Sequence, residues 1–189
     1  MKSVWITGCN RYEVSGVVAL LKSKGVTARV YRPGGRFGEG DWLIICLSGV
    51  PLLGWWRYLR IMDWLVRRYE GVRFIVLCPA VVYDSGVTDA ENMLSVNGSV
   101  DLMLLSESLL RCFRKGGPVV GASGTAWCAG LRRGWLGFRR MASWCLQMRP
   151  AELEEMIQLR REYRLRAQLL RETGFHTLLA LEVFMAGYR

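Results

Sequence analysis

The sequence predicts an α/β fold: a flavodoxin-like five-stranded parallel sheet followed by a small all-α helix-turn-helix domain. Over the first 115 residues, short apolar runs alternate with amphipathic segments. Several runs are apolar on both faces, as in strands buried between two layers of helices. After a stretch rich in glycine, arginine and tryptophan, the remainder is almost wholly helical in character. We therefore divide the chain into a front domain at 1–115, a linker at 116–148 and a helical domain at 149–189.

The first half of the front domain alternates strands with two helices. In chain order the predicted elements are a strand at Val4–Ile6, a helix at Glu13–Lys24, strands at Val26–Tyr31 and Asp41–Leu47, and a helix at Leu52–Tyr69. Both helices carry apolar residues at helical spacing. Gly25 follows the first helix, where a C-terminal glycine is favoured.

The second half of the front domain completes the sheet. Gly71 and Pro79 bound a fourth strand at Val72–Cys78. The predicted elements after it are a short helix at 88–96, a fifth strand at Leu102–Leu105 and a last helix at Ser106–Lys115. A functional site is expected at the carboxyl ends of the strands.

The C-terminal part has the pattern of a helix-turn-helix unit. Its first helix begins at Pro150, with three glutamates in the first turns, where carboxylates suit the helix dipole. A second helix is predicted at Leu165–Glu172, a tight turn at Thr173–Gly174 and a third helix from His176 or Thr177. Helix, short glycine-containing turn and helix is the order of DNA-binding helix-turn-helix proteins.

Positive charge is concentrated towards the C-terminus. Residues 1–110 carry 12 Lys and Arg against 10 Asp and Glu, a net of +2, while residues 111–189 carry 14 against 6, a net of +8. The basic residues of the second group are almost all arginines, whose planar guanidinium pairs with phosphate oxygens and guanine edges. This distribution favours a polyanionic partner, with solvated basic helix faces as the alternative.

Cysteine and histidine usage argues against metal and disulfide chemistry. The six cysteines include no CxxC pair, and the one histidine, His176, is interpreted as an N-cap or surface residue. A zinc site needs clustered ligands, so we expect no metal and no other cofactor. The N-terminus does not resemble a signal peptide, and no uncharged run is long enough to span a membrane. We expect a cytoplasmic protein with reduced thiols that does not associate with membranes.

The front domain lacks the residues of phosphoryl transfer. A phosphoryl-accepting receiver domain needs acidic residues after strand one, an aspartate at the end of strand three, a serine or threonine after strand four and a lysine after strand five. The corresponding positions here are Thr7–Asn10, Cys46, Cys78–Pro79 and Ser106–Glu107. Cys46 therefore occupies a degenerate phosphoacceptor position, and phosphorylation by this chemistry is not expected.

Two interpretations of Cys46 are open. A nucleophilic or redox-active thiol needs a nearby base or cation to depress its pKa. Cys46 is flanked by Ile45 and Leu47, and the histidine belongs to the other predicted domain, which favours a structural core thiol. No catalytic residue is assigned, and the protein is predicted not to be an enzyme.

Three segments carry a family likeness: VWITGCNRYEVSGVVALLKSKG, DWLIICLS and MRPAELEEM, the last being similar to the motif LTPRELEVL. With them the chain resembles LuxR-type transcriptional regulators that have a degenerate receiver-like N-terminal domain, and among these the unphosphorylated Rcs auxiliary capsule regulator class. The resemblance implies a regulator that binds double-stranded DNA as a homodimer or as a heterodimer with a related regulator, and that is nucleoid-associated when bound.

The predicted DNA contacts lie in the helical domain. Phosphate contacts are assigned to arginines around the second helix and at the end of the chain: Arg160, Arg161, Arg164, Arg166 and Arg189. Groove-facing candidates on the recognition helix are Thr177, Leu181, Glu182 and Met185, of which Glu182 would accept from a cytosine amino group. That helix carries leucines and a valine where the family has polar residues, so core or protein interface is the alternative for its apolar positions.

The preferred function is a DNA-binding transcriptional regulator that acts independently of phosphorylation. The alternative is an interaction module or antagonist that binds a partner regulator without binding DNA, which the leucine-rich recognition helix favours and the positive charge opposes. An enzyme built on the same sheet is a third possibility, but no acid, base or cofactor motif favours it. Trp55, Trp56 and Trp64 are either interface aromatics or helix-packing core.

Overall fold

The computed structural model describes residues 2–88 and 93–115, together with 163–164, 166–168, 170–171 and 173–187. The predicted linker at 116–148 and the predicted helix that begins at Pro150 lie outside the described residues. The elements with continuous bounds are β1 (Val4–Gly8), α1 (Arg11–Ser23), β2 (Ala28–Val30), β3 (Trp42–Cys46), α2 (Trp56–Arg68), β4 (Arg73–Cys78), α3 (Ala80–Ser85), β5 (Met93–Asn97), α4 (Leu102–Lys115) and α5 (Leu178–Phe184).

The five strands form one parallel sheet in the order β2-β1-β3-β4-β5. This is a flavodoxin-like order, so the predicted five-stranded parallel sheet with helices is confirmed. The direction of the strand order reverses between β1 and β3, which are paired from Val4 with Trp42 to Gly8 with Cys46. Their carboxyl ends are therefore the place in the sheet where a binding site is expected.

The central strands are buried on both faces of the sheet. All five residues of β3 are buried, and successive side chains point to opposite faces. Leu43 and Ile45 pack in one core cluster with residues of α2, α3 and α5. Ile44 and Cys46 pack in a second cluster with residues of α1 and α4. This two-sided burial explains why the strand reads as a continuous apolar run in the sequence.

The structure corrects the elements predicted between β4 and the end of the front domain. The predicted helix at 88–96 and the predicted strand at Leu102–Leu105 are wrong: β5 is Met93–Asn97, and α4 begins at Leu102. The reason lies at Asp101, whose carboxylate accepts from the N–H groups of Met103 and Leu104, both at 2.9 Å. This cap satisfies the first free N–H groups of a helix, so the apolar run after Asp101 is helical.

Asp41 anchors the amino edge of the sheet. Its carboxylate, just before β3, accepts from the N–H groups of Ser3 at 2.8 Å and Gly38 at 2.9 Å, and from the indole N–H of Trp5 at 3.2 Å. Burial by itself would raise the pKa of this carboxyl, but the three donors together outweigh it, so the pKa lies below its ordinary value. Asp41 thus has a structural role: its hydrogen bonds connect the start of β1 to the loop before β3.

Helix α5 packs on the same face of the sheet as α2 and α3. Its apolar residues join the core cluster that contains Phe74 and Trp55. The N–H of Gly54 donates to the carbonyl of Val183 at 2.9 Å, and the indole N–H of Trp56 donates to the carbonyl of Ala186 at 3.1 Å. The C-terminal segment is therefore bound to the loop before α2 and to the first residue of α2 through both backbone and side-chain contacts.

Gly174 forms the turn predicted at Thr173–Gly174. Its φ is 68°, a left-handed conformation that favours glycine. A Cβ at this position would overlap the backbone of Ser85 at the end of α3. The glycine is therefore required both by the turn and by the close approach of this segment to the front domain.

Candidate functional site

The carboxyl edge of the sheet brings together the positions that a receiver domain uses for phosphoryl chemistry. The strands that meet here end at Gly8, Cys46, Cys78 and Asn97. The predicted end of strand five at Ser106–Glu107 is wrong, because both residues lie within α4. The corrected position is Asn97, which supplies an amide where a receiver domain has a lysine. None of these four strand-end residues carries the charge that would bind magnesium or a phosphoryl group.

Glu13, in the first turn of α1, is the carboxylate that meets the loop after β3. Its side chain accepts from the backbone N–H of Ser48 at 3.1 Å and of Gly49 at 3.3 Å, and also from the hydroxyl of Ser48. Asn10 caps the same helix by accepting from the N–H of Tyr12 at 2.9 Å. Glu13 is thus held by three donors from one loop and connects α1 to the end of β3. The sequence analysis missed this role, although an acidic residue in a first helical turn was visible.

Cys46 is fully buried beneath this loop. Desolvation by burial, followed by the negative charge of Glu13, raises the pKa of its thiol above the ordinary value. The thiol is therefore protonated at neutral pH, and its burial keeps solutes from its sulfur. This geometry fits a core thiol and opposes a nucleophile.

Two glycines let the loops close over the edge. A Cβ at Gly8 would lie 2.5 Å from the carbonyl oxygen of Cys46, and a Cβ at Gly98 would overlap the side chain of Ser48. Neither position can carry a larger residue without movement of β3 or its loop. Close packing at this edge therefore joins β1 to β3, and the residue after β5 to the loop after β3.

The other thiols near this edge differ in exposure. The exposed Cys9 donates its S–H to the hydroxyl of Tyr58 on α2, with 3.7 Å between sulfur and oxygen. This hydrogen bond, followed by burial, raises the pKa of Tyr58. Cys78 is buried, and its S–H donates to the carbonyl of Val96 at 3.7 Å. Cys9 is therefore the accessible thiol of this edge.

A shallow depression of about 490 Å³ lies at the opposite, amino edge of the sheet. It is lined by Lys2, Glu39, Gly40, Gly71, Val72 and Arg73. Both cationic and anionic side chains line this depression. Its electrostatic potential therefore does not favour a ligand of either charge.

The predicted DNA contacts are divided by the structure. Arg164, Thr177 and Glu182 are exposed, and Arg166 is half-buried. Leu181 and Met185 are 4% and 3% exposed in the core against the sheet, so in this arrangement neither can reach a base edge. These residues belong to the apolar side of α5. Burial of this side against the sheet is more favourable than its exposure to the polar groove of DNA. Arg160, Arg161 and Arg189 lie outside the described residues.

Helix α5 begins at a side-chain cap. The hydroxyl of Thr177 accepts from the N–H of Ala180 at 3.1 Å. His176, just before it, is exposed. A serine or threonine cap is a common way to satisfy the first N–H groups of a helix, so Thr177 has a structural role that competes with a DNA contact.

The described ranges contain neither a metal-binding cluster nor a helix that could span a membrane. Within them, no group of three or more His, Cys, Asp or Glu side chains is placed to hold a metal ion. Each helix in this part of the chain is too short or too polar to span a bilayer.

Comparisons with known proteins do not assign the chain to a family. No protein-family model matches it, and no curated protein or solved structure does so either. The likeness to LuxR-type regulators therefore stays a prediction.

Proposed function

We propose that this protein is a transcriptional regulator that acts by binding and is independent of phosphorylation. The observation that carries the proposal is the carboxyl edge of the sheet. It combines a receiver-like strand order with a buried Cys46 at the phosphoacceptor position and with a carboxylate, Glu13, held by Ser48 and Gly49. The strand ends lack the aspartate and the lysine of receiver phosphorylation, which supports an output that depends on what the protein binds.

Double-stranded DNA is the proposed partner of the C-terminal part. The chain carries a net charge of +10, of which +8 belongs to residues 111–189. Arg164, Thr177 and Glu182 are exposed, as a contact surface requires. Arginines contact the phosphate backbone and set the orientation on the duplex, whereas base contacts would supply specificity. A dimer, either with itself or with a related regulator, would add a second half-site.

A salt titration tests DNA binding. Fluorescence anisotropy of a labelled duplex is measured with the full chain between about 50 and 200 mM salt, where the logarithm of affinity falls by about 0.9 per phosphate contact against the logarithm of salt. Arg164→Ala should lower this slope by about 0.9, and Arg32→Ala in the front domain should leave it unchanged. Absence of duplex binding at the lowest salt contradicts the proposal.

Phosphorylation independence has its own test. The purified chain is incubated with a small-molecule phosphodonor and magnesium, and the intact mass is measured. We expect no added phosphoryl group, and the same DNA affinity before and after treatment. A phosphorylated product whose DNA affinity differs would overturn this part of the proposal.

The burial of α5 favours a second candidate: a protein that binds a partner regulator without contacting DNA. Leu181 and Met185, two of the predicted groove-facing residues, are committed to the core. In this case the chain alone does not shift duplex DNA, and adding it to a related DNA-bound regulator changes that regulator's affinity. Light scattering of the mixture then detects the complex, whereas a complex that never forms excludes this candidate.

A further inference from the structure

The exposed face of α2 combines arginines with an uncovered tryptophan. Arg57, Arg60, Trp64 and Arg68 are exposed and follow one another at intervals of three or four residues, which places them along one side of the helix. Trp64 is 57% exposed, although Trp55 and Trp56 of the same region are buried. Trp55 and Trp56 are thus core residues, and Trp64 is a surface residue. Packing in the core does not account for a tryptophan at position 64.

Three of the four side chains of this face contact neighbouring rings. The guanidinium carbons of Arg57 and Arg60 each lie 5.9 Å from the centroid of the Trp56 ring. The ring of Trp64 meets that of Tyr69 edge to face, with 6.4 Å between centroids. Cation–π and aromatic contacts of this kind restrict the side chains before any partner arrives, which lowers the entropy lost on binding.

Within the described part of the chain, the positive charge of this face is only partly paired. Arg67, at its flank, pairs with Asp63. Among the described residues, Arg57, Arg60 and Arg68 take part in no ion pair. From Arg57 to Arg68 the helix rises about 16 Å, enough to follow several phosphates of a nucleic-acid strand. The complementary ligand is therefore an extended polyanion.

We propose that this face of α2 is a binding site for single-stranded nucleic acid. The guanidinium groups of Arg57, Arg60 and Arg68 contact phosphates, and the ring of Trp64 stacks on an unpaired base. A duplex offers phosphates but keeps its base faces covered, whereas a single strand exposes base faces on which Trp64 can stack. The site lies in the front domain, goes beyond the proposed duplex contact of the C-terminal part and does not depend on it.

The test uses the full chain and a labelled oligothymidylate of more than about 16 nucleotides, the largest site size typical of one small binding fold. Trp64→Ala should weaken binding about tenfold through the loss of one stacked base, and Trp64→Phe should retain most of the affinity. Replacing Arg57, Arg60 and Arg68 together by alanine should lower the salt slope by about 2, since each phosphate contact on a single strand contributes about 0.7.

Matched control variants distinguish a site on α2 from two nonspecific effects: the overall positive charge of the protein and the exposure of any aromatic ring. Tyr12→Ala removes another ring, which is 89% exposed on α1, and should leave binding unchanged. Alanine at Arg32, Arg36 and Arg114 together removes the same charge from exposed positions outside α2, and should lower the slope by much less. Far-UV circular dichroism and the thermal unfolding midpoint show that each variant is folded.

A second measurement leaves the protein unchanged. An abasic oligonucleotide of the same length keeps the phosphates and loses the bases, so it should bind about tenfold more weakly than oligothymidylate. Equal binding of the two probes, or an equal loss in the control triple variant, overturns the proposal. Binding of phosphatidylglycerol vesicles through the α2 arginines without oligonucleotide binding overturns it in favour of a membrane surface. Arg164→Ala, which tests the duplex proposal, should leave single-strand binding unchanged. The two proposals can therefore fail independently, and the two failures can be told apart.

Discussion

The packing of α5 against the sheet predicts a large cost for removing Phe184. This residue is 1% exposed, and its ring stacks on that of Trp55 with 6.0 Å between centroids and contacts that of Phe175 at 5.0 Å. Phe184→Ala leaves a cavity that surrounding core side chains fill only in part, so we expect the free energy of unfolding to fall by about 3–5 kcal/mol. Domains of this size are stable by about 5–15 kcal/mol, so the loss is readily measured by urea unfolding of the full chain, followed by far-UV circular dichroism.

A control on the same helix and a double-mutant cycle complete this experiment. Leu179 is 69% exposed, so Leu179→Ala should change the stability by no more than about 0.5 kcal/mol. In a cycle with Trp55→Phe, the two positions should couple by about 0.5–1.5 kcal/mol because their rings are in contact. Additive costs, or a Phe184→Ala variant whose sheet unfolds as before, would refute the docked arrangement of α5.

Three further predictions concern the two edges of the sheet. The pKa of Asp41 is lowered because hydrogen-bond donors outweigh burial; its stabilisation is complete above its ordinary pKa and is lost as the pH falls through the lowered value. Asp41→Asn should therefore cost about 1–3 kcal/mol at neutral pH and weaken the acid dependence of urea unfolding below about pH 4. Cys9 should react with a thiol reagent at pH 8 much faster than Cys46, whose pKa is raised; comparable rates in the folded chain would contradict the buried position of Cys46. Glu13→Gln should lower the stability by about 1–2 kcal/mol, measured by thermal unfolding, since a neutral amide is a weaker acceptor for the loop after β3; an unchanged stability would show that these hydrogen bonds contribute nothing net.

The sheet was the predictable part of the fold because its strands are buried on both faces. Such strands appear in the sequence as short apolar runs bounded by turn residues, and β3 and β4 follow this rule closely. The rule fails for β5, where only Met93 and Val96 are buried, and for Leu102–Leu105, which is apolar but helical. A short apolar run is compatible with either structure, and the cap at Asp101 decides between them.

The carboxyl edge was predictable as the location of a site, and its chemistry only in part. The sequence places Cys46 at the end of an apolar strand and shows that the receiver residues are missing at the strand ends. The partnership of Glu13 with Ser48 joins positions 35 residues apart, and no spacing in the sequence indicates it. The separation of Trp64 from Trp55 and Trp56 was likewise undecided, since all three occur in one aromatic helix segment.

The sequence by itself determined that this chain builds a parallel sheet and that Cys46 ends its third strand, because strand burial and the residue at a strand end are local properties. Only the tertiary structure decided where the apolar side of α5 is buried. The indole of Trp56 and the carbonyl of Ala186 are 130 residues apart in the chain, yet they form a hydrogen bond. The sequence shows that one face of a helix is apolar and will be buried. Which surface buries that face depends on the tertiary structure.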